Sequence, residues 1–394
     1  MKPYDYQIDM SKQAYDILCK YYMVYLACEE RTGKTLAAIL TAEQTSVRSV
    51  LILTKKKAIG GWLETLEAFP HTKEYTVTNY HQASKQKPHD LIILDESHNY
   101  ISSFPKPGKL WREAKELCVN KPIIYISATP YGQGPQMLYH QFKLSSWSPW
   151  LKYPNFYSWF KTFGKPYQQR INGLKINKYD KCDVDFILGC VDHLFITKTR
   201  NELGFKHEPQ DQIHFVELNK ATKDVYNELL EHQITELKAG TLVCDTKAKL
   251  RVSLHMLEGG VAKIDDNRIV LANEEKIDYI KEHFGDHEGL VIMYNYIAEQ
   301  EKLNAHFTHA RILQATSYAE GIDLHQYSDL VIYSQDFSTA RHTQRRARQA
   351  NKNRSTPITV HFLLVKKGLS QQVYKTVSVN KKNYVDSVFV KEAL

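Results

Sequence analysis

Tyr25-Leu26-Ala27-Cys28-Glu29-Glu30-Arg31-Thr32-Gly33-Lys34-Thr35-Leu36-Ala37-Ala38-Ile39-Leu40 is the stretch whose reading decides the fold. It opens on apolar, β-prone residues and closes on helix formers, with a short polar turn holding one glycine between them. A strand that passes through a tight turn into a helix is the repeating half-unit of a parallel α/β sheet. The turn also has chemical content. A glycine before a lysine lets the backbone bend around a phosphate, the following helix offers unpaired N–H groups, and the ammonium can neutralise terminal phosphates. Thr32, Gly33, Lys34 and Thr35 are therefore candidate phosphate-binding residues, with the Thr35 hydroxyl suited to Mg²⁺. Where the standard eight-residue loop begins with glycine this chain has Cys28, so the turn alone is also compatible with an ordinary strand-to-helix junction.

Working outward, Val50-Leu51-Ile52-Leu53, Leu91-Ile92-Ile93-Leu94 and Ile123-Ile124-Tyr125-Ile126 are short apolar runs of the kind buried on both faces of a parallel sheet. They predict a doubly wound α/β lobe over residues 1–140. The composition shifts over 141–210, where Trp147, Trp150, Tyr153, Phe156, Tyr157, Trp159, Phe160, Phe163 and Tyr167 crowd together with Pro149, Pro154 and Pro166. That stretch reads as a helical insertion or connector with packed rings, stacking on exposed bases being the alternative. Alternation resumes over 211–394, with strand-like runs at Gly289–Tyr294, Arg311–Gln314, Leu330–Tyr333 and Thr359–Leu364, which predict a second α/β lobe.

The chain has 394 residues, enough for two cores, and its 43% hydrophobic and 24% charged content is that of a globular protein. No apolar run approaches the roughly 18 residues of a membrane span. The start, Met1-Lys2-Pro3-Tyr4-Asp5, lacks a signal-peptide core, so a cytoplasmic protein without a membrane partner is expected. Six cysteines without metal-site spacing read as reduced, buried thiols. A net charge of +8 permits a polyanionic partner without identifying one.

The next chemical feature is Asp95-Glu96-Ser97-His98, which closes the strand at Leu91–Leu94. Carboxylates at the C-terminal end of such a strand project into the crevice where α/β sheets bind ligands. Asp95 can hold Mg²⁺, largely through water, and Glu96 can deprotonate an attacking water. An acidic loop after a strand is common, but one that follows a Gly-Lys-Thr turn in this order is not.

At these boxes the sequence resembles superfamily 2 helicases and translocases. Asp95-Glu96-Ser97-His98 looks like their Asp-Glu-x-His box, and Ser127-Ala128-Thr129-Pro130 like their Ser-Ala-Thr coupling motif. Thr54-Lys55-Lys56 and Thr78-Asn79-Tyr80 are similar to their nucleic-acid-gripping segments. Within that superfamily the likeness is closest to the Swi/Snf-type branch. Tyr6-Gln7 is similar to its adenine-reading pair, Gly61-Trp62 to its tryptophan segment, Leu194–Lys198 to its linker, and Lys249-Leu250-Arg251 to its Leu-Arg segment. Gln314–Leu324 looks like the motif linking nucleic acid to nucleotide, with Thr316 on the track and Gly321 and Asp323 facing ATP. Gln344-Arg345-Arg346-Ala347-Arg348-Gln349 matches the spacing of arginine fingers. Arg345 and Arg348 sit three apart on one helical face, and a solvated basic helix is the alternative. Arg341, Gln344 and Glu320 depart from residues common in relatives.

The resemblance implies two RecA-like lobes in tandem, joined by the aromatic-rich connector, in a monomeric ATP- and Mg²⁺-dependent motor. Lys34, Asp95, Glu96, Arg345 and Arg348 would be catalytic, the last two closing on the γ-phosphate as the lobes approach. Gln7, Thr32, Gly33, Lys34, Thr35, Gly321 and Asp323 would bind nucleotide, and Thr35 and Asp95 the metal. Thr54, Lys55, Thr78 and Thr316 would grip DNA, whether single-stranded, duplex or forked, with RNA the alternative. The compact size resembles helicases encoded by bacterial viruses, acting in the host cytoplasm. A duplex-DNA translocase without strand separation and a non-motor nucleic-acid binder are the rival readings.

Overall fold

The computed structural model describes residues 2–132, 134–171, 174–315 and 324–393. The chain divides into two compact units, Met1–Gly204 and Phe205–Leu394. In the first, the strands are β1 (Met23–Leu26), β2 (Ser49–Thr54), β3 (Glu74–Asn79), β4 (Leu91–Asp95) and β5 (Ile123–Ile126). A ribbon, β6 (Tyr167–Ile171) and β7 (Leu174–Lys178), and the short β8 (Phe195–Ile196) complete the set. Six of them form one sheet in the order β3-β2-β4-β5-β1-β8, parallel throughout. Leu91, Ile92, Ile93 and Leu94 of β4 have no exposed surface. Each such side chain stabilises the fold by about 1.5–3 kcal/mol, which is why an unbroken apolar run specifies an inner strand.

Two helices frame the sheet's first strand. Helix α1 (Asp5–Tyr21) starts where the Gln7 side chain accepts from the Tyr4 N–H, and it stops at Tyr22, whose φ of 56° ends the right-handed run. Helix α2 (Lys34–Glu43) begins immediately after Gly33.

The aromatic-rich stretch expected as a connector lends its rings to the core of the first unit. Trp150, Tyr153, Phe156, Trp159, Phe160 and Phe163 are buried there with Leu138, Phe142 and Leu194. These rings have no face left for a nucleic-acid base, which corrects the stacking alternative for them. Nor is the stretch purely helical, since it contains β6 and β7, an antiparallel pair apart from the main sheet.

The second unit carries β9 (Pro209–Val216), the hairpins β10 (Ile234–Leu237) with β11 (Gly240–Val243) and β12 (Val261–Ile264) with β13 (Asn267–Val270), then β14 (Leu290–Tyr294), β15 (Arg311–Gln314), β16 (Asp329–Ile332) and β17 (Ile358–Val365). Five of these make a second parallel sheet, ordered β15-β14-β16-β17-β9. The α/β class with two parallel sheets is thus as the sequence predicted. All six cysteines are free, but only Cys28, Cys118 and Cys244 are buried, and Cys19 is exposed. Among the described residues no helix is long and apolar enough to cross a membrane.

Candidate functional site

The register of the first sheet gathers the sequence motifs at one edge. Leu26 of β1 pairs with Ile126 of β5, Ile126 with Asp95 of β4, Leu53 of β2 with Leu94, and Thr54 with Asn79 of β3. Five strands therefore end side by side. The Gly-Lys-Thr turn leaves from β1, the acidic pair from β4, Ser127–Pro130 from β5 and Lys55 from β2, while Thr78 sits one residue before the end of β3. In a parallel sheet this C-terminal edge is where ligands bind.

The turn after β1 is held in one conformation by contacts of its own residues. Gly33 has φ +75°, a left-handed conformation that costs a side-chain-bearing residue but not glycine. A Cβ there would lie 2.0 Å from the Gln7 amide nitrogen, so the position is closed to side chains twice over. Gln7, itself buried, donates to the Gly33 carbonyl at 3.2 Å and so ties the start of α1 to the turn. Lys34 Nζ donates to the carbonyls of Cys28 and Glu29 at 2.7 and 2.6 Å, a cation folded back on its own loop. The buried Thr32 hydroxyl donates to Glu29 O at 2.8 Å, which makes it a brace of the loop. Cys28 fills the place of the absent glycine, fully buried with its Sγ 3.4 Å from Ile196 O, and burial raises its thiol pKa.

A second brace comes from Arg200, beyond β8. Its backbone N–H donates to Glu29 Oε2 at 2.7 Å, and its guanidinium lies 3.8 Å from Glu29 and 3.7 Å from Glu30. Arg200 thereby offsets the negative charge of the two carboxylates at the turn.

The acidic pair is held from beneath. Asp95 Oδ2 accepts from the Thr54 hydroxyl at 2.6 Å and the Trp62 indole at 3.0 Å, and Tyr80 OH donates to Asp95 O at 2.8 Å. Thr54 and Trp62 are buried, so these donors fix the plane of the carboxylate. Thr54, expected on a nucleic-acid surface, has no exposed surface, and its hydroxyl serves Asp95 instead. The half-buried Lys55 and Thr78 remain at the sheet edge.

Glu96 adopts φ 50°, unusual for a residue with a side chain, and this turns it out of the strand line. Its Oε2 accepts from the Ser127 hydroxyl at 3.0 Å and lies 3.4 Å from His98 Nδ1. Ser127 Oγ is 3.0 Å from the same His98 nitrogen and accepts from the Thr129 N–H at 3.0 Å, while Thr129 Oγ1 is 3.4 Å from His98 Nε2. One assignment satisfies every contact: His98 carries its proton on Nδ1, and the hydroxyls of Ser127 and Thr129 donate to Glu96 and Nε2. Burial, aided by the Lys55 charge, holds His98 down to about 4, so it is neutral at physiological pH. Behind this layer Gln141, fully buried, accepts from Ser97 at 2.7 Å and Tyr25 at 3.0 Å and donates to Pro130 O at 2.8 Å and Met137 O at 3.1 Å.

In the second unit the arginine run is only partly α-helical. The helix Thr339–Arg346 ends before Arg348, which lies in the 3₁₀ turn Ala347–Gln349, so the two do not share one α-helical face. Both are buried, which overturns the solvated basic helix. Arg345 donates to Asn295 Oδ1 at 3.2 Å, Ser334 O at 3.4 Å and Asp336 Oδ2 at 3.4 Å, all residues just past β14 or β16. Those bonds are long for a guanidinium, and its Nε has no protein partner. Burial lowers Arg345 to about 10, which leaves it cationic at neutral pH. Thr316, Gly321 and Asp323 lie outside the described residues.

Among the described residues no three His, Cys, Asp or Glu side chains cluster as a metal cage. Mg²⁺ bound through one or two carboxylates and substrate phosphates needs no such cage. Trp62, Ser127 and His98 stood within quoted motifs without a role of their own for each side chain, whereas Arg200 and Gln141 carry no local pattern that the sequence shows. In comparisons with known proteins, no family model matches this chain, and no curated protein matches it.

Proposed function

We propose that the protein is an ATP-hydrolysing nucleic-acid motor, a helicase or translocase that resembles superfamily 2, with two RecA-like lobes. The observation that carries this reading is the alignment of the Gly33-Lys34 turn, the Asp95-Glu96 pair and Ser127 on one sheet edge. An anion cradle beside a braced carboxylate and a second, outward-turned carboxylate is the equipment of phosphoanhydride hydrolysis. Lys34 would exchange its loop carbonyls for phosphate oxygens, and Gln7 would set the loop's approach to a nucleotide. Thr35 and Asp95 would hold Mg²⁺, which supplies charge that offsets the phosphate oxygens. Glu96 would accept the proton of an attacking water. Ser127 holds its second oxygen and would report that event to the segment after β5.

Arg345 and Arg348 of the second unit would serve as cations for the developing phosphate charge, and the long bonds to Arg345 suit a group that must be released. Lys55, Thr78 and Thr316 would contact a nucleic-acid backbone, DNA in the first instance. The test is ATP hydrolysis with single-stranded, duplex and forked DNA and with RNA, beside strand-displacement and triplex-displacement assays. Stimulation by a nucleic acid with ATP-dependent displacement supports a motor, and triplex displacement alone supports duplex tracking. Hydrolysis indifferent to every nucleic acid would refute it.

A further inference from the structure

Residues 165–181 hold five cations, Lys165, Arg170, Lys175, Lys178 and Lys181, against one carboxylate, Asp180. The chain folds this segment into the ribbon β6–β7, which joins neither large sheet. Its base is tied to the aromatic core by the Gly164–Cys182 bridge and the Lys165 N–H to Lys181 O bond of 2.8 Å. Gly164 is required there, because a Cβ would meet the Phe160 ring at 2.5 Å. Beyond that anchor Gln168, Gln169, Arg170, Lys175, Ile176 and Asn177 are all exposed.

Register sorts these residues by face. Directly opposed residues in an antiparallel pair share a face, so Gln168 with Asn177 and Arg170 with Lys175 form one polar surface. Gln168 Nε2 donates to Asn177 Oδ1 at 3.0 Å, which orders the two amides. The pair beyond them is two cations. Like charges directly opposed across strands destabilise a ribbon, and a free-standing two-stranded ribbon has little stability to lose. No described carboxylate lies within ion-pair distance of either cation. A local cost without a compensating contact inside the fold marks a surface shaped for something outside it.

We infer that this ribbon is a docking surface for duplex DNA, with Arg170 and Lys175 on backbone phosphates and Gln168 and Asn177 beside them. Charge complementarity selects a polyanion, and a two-stranded ribbon has the width that the major groove of B-form DNA admits. The inference rests on the nucleic-acid reading proposed above and adds a contact outside all the motifs on which that reading was built. The ribbon is no part of the sheet that carries Lys34 and Glu96, so loss of its cations changes DNA affinity and not basal hydrolysis.

The test is the salt dependence of duplex-DNA binding, by fluorescence anisotropy, in the full chain and in its Arg170→Ala/Lys175→Ala variant. Loss of two phosphate contacts flattens log K against log salt by about two units. Arg170→Lys in the same assay keeps the slope, and basal ATP hydrolysis without DNA certifies the fold of each variant. Duplex RNA, whose major groove is too narrow for a ribbon, is bound alike by both proteins. Equal DNA salt slopes in wild type and double variant overturn the ribbon assignment alone, as does an equal loss of slope on duplex RNA. A wild-type chain that binds no nucleic acid overturns it together with the reading it rests on.

Discussion

Replacing Thr54 by valine keeps the buried shape and removes only the hydroxyl that donates to Asp95 Oδ2 at 2.6 Å. A hydrogen bond to a charged acceptor contributes about 1.5–3 kcal/mol, and one this short belongs to the stronger, charge-assisted kind. Trp62 remains as a donor to the same oxygen at 3.0 Å, so the carboxylate is not stranded and the lower end applies, about 1.5 kcal/mol of unfolding free energy. Because Thr54 and Trp62 share one acceptor, Trp62→Phe in the Thr54→Val background should cost more than the two separate losses, with a coupling of at least about 0.5 kcal/mol. Urea unfolding of the four proteins measures this. The functional consequence is specific to metal. With its plane released, Asp95 should bind Mg²⁺-nucleotide about tenfold less well, equivalent to about 1.4 kcal/mol, while affinity for a fluorescent nucleotide in EDTA stays unchanged. Additive stability losses with equal Mg²⁺-dependent affinity in all four proteins would refute the claim that these residues position Asp95.

Gly33→Ala should abolish measurable nucleotide binding, because alanine at φ +75° meets the Gln7 amide at 2.0 Å. Adding Gln7→Ala should restore part of it, leaving the left-handed backbone penalty of about 1–2 kcal/mol and the loss of Gln7's own contact, and calorimetric titration of ATP distinguishes the two. Gln141→Leu leaves the hydroxyls of Tyr25 and Ser97 and the carbonyl of Pro130 without their buried partner. The two hydroxyls lie 3.4 Å apart and can still bond one another, so at about 1–3 kcal/mol for each group left stranded the first unit should lose at least about 2 kcal/mol in chemical denaturation, an outcome contradicted by a shift under about 1 kcal/mol. Acid should destabilise the fold through its buried histidines. His98 is held at about 4, against 6.5 unfolded, so the unfolded chain takes a proton first and stability falls as pH drops from about 6.5 to about 4. That window carries about 3 kcal/mol for His98 alone, and His98→Asn should flatten the measured dependence of stability on pH.

The inner strands of both sheets were legible because such a strand needs an unbroken apolar run, as at Val50–Leu53, Leu91–Leu94 and Leu330–Tyr333, whereas the edge strands β8 and β9 carry no such run and were not read as strands. The turn at Gly33 was legible for a related reason, since few residues other than glycine accept φ +75° before a helix. What sequence hid was how the residues pack on one another. Thr54 was read as a nucleic-acid grip from the likeness of Thr54-Lys55-Lys56 to a gripping segment, and only the register of β2 against β4 sets it beneath Asp95. Arg200 lies far along the chain from the Glu29 it braces, and Gln141 reaches Tyr25, Ser97 and Pro130 in separate segments, so neither leaves a local periodicity. Arg345 and Arg348 were read as one helical face because spacing cannot reveal that the helix tightens after Arg346. The aromatic stretch hid its ribbon because tryptophans and phenylalanines dominate its composition, whereas Gln168, Arg170, Lys175 and Asn177 alternate too briefly to stand out.

The central claim is that Glu96, turned out at the strand end and held by Ser127, takes the proton of the water that attacks ATP. Glu96→Gln keeps the size of the side chain and an acceptor for Ser127 but removes the base. The direct measurement is single-turnover ATP hydrolysis by that variant beside its ATP affinity. The account predicts affinity close to wild type and hydrolysis slower by at least about a hundredfold, the scale of a lost general base. Wild-type turnover in Glu96→Gln would contradict it, and so would a wild-type protein that hydrolyses no ATP.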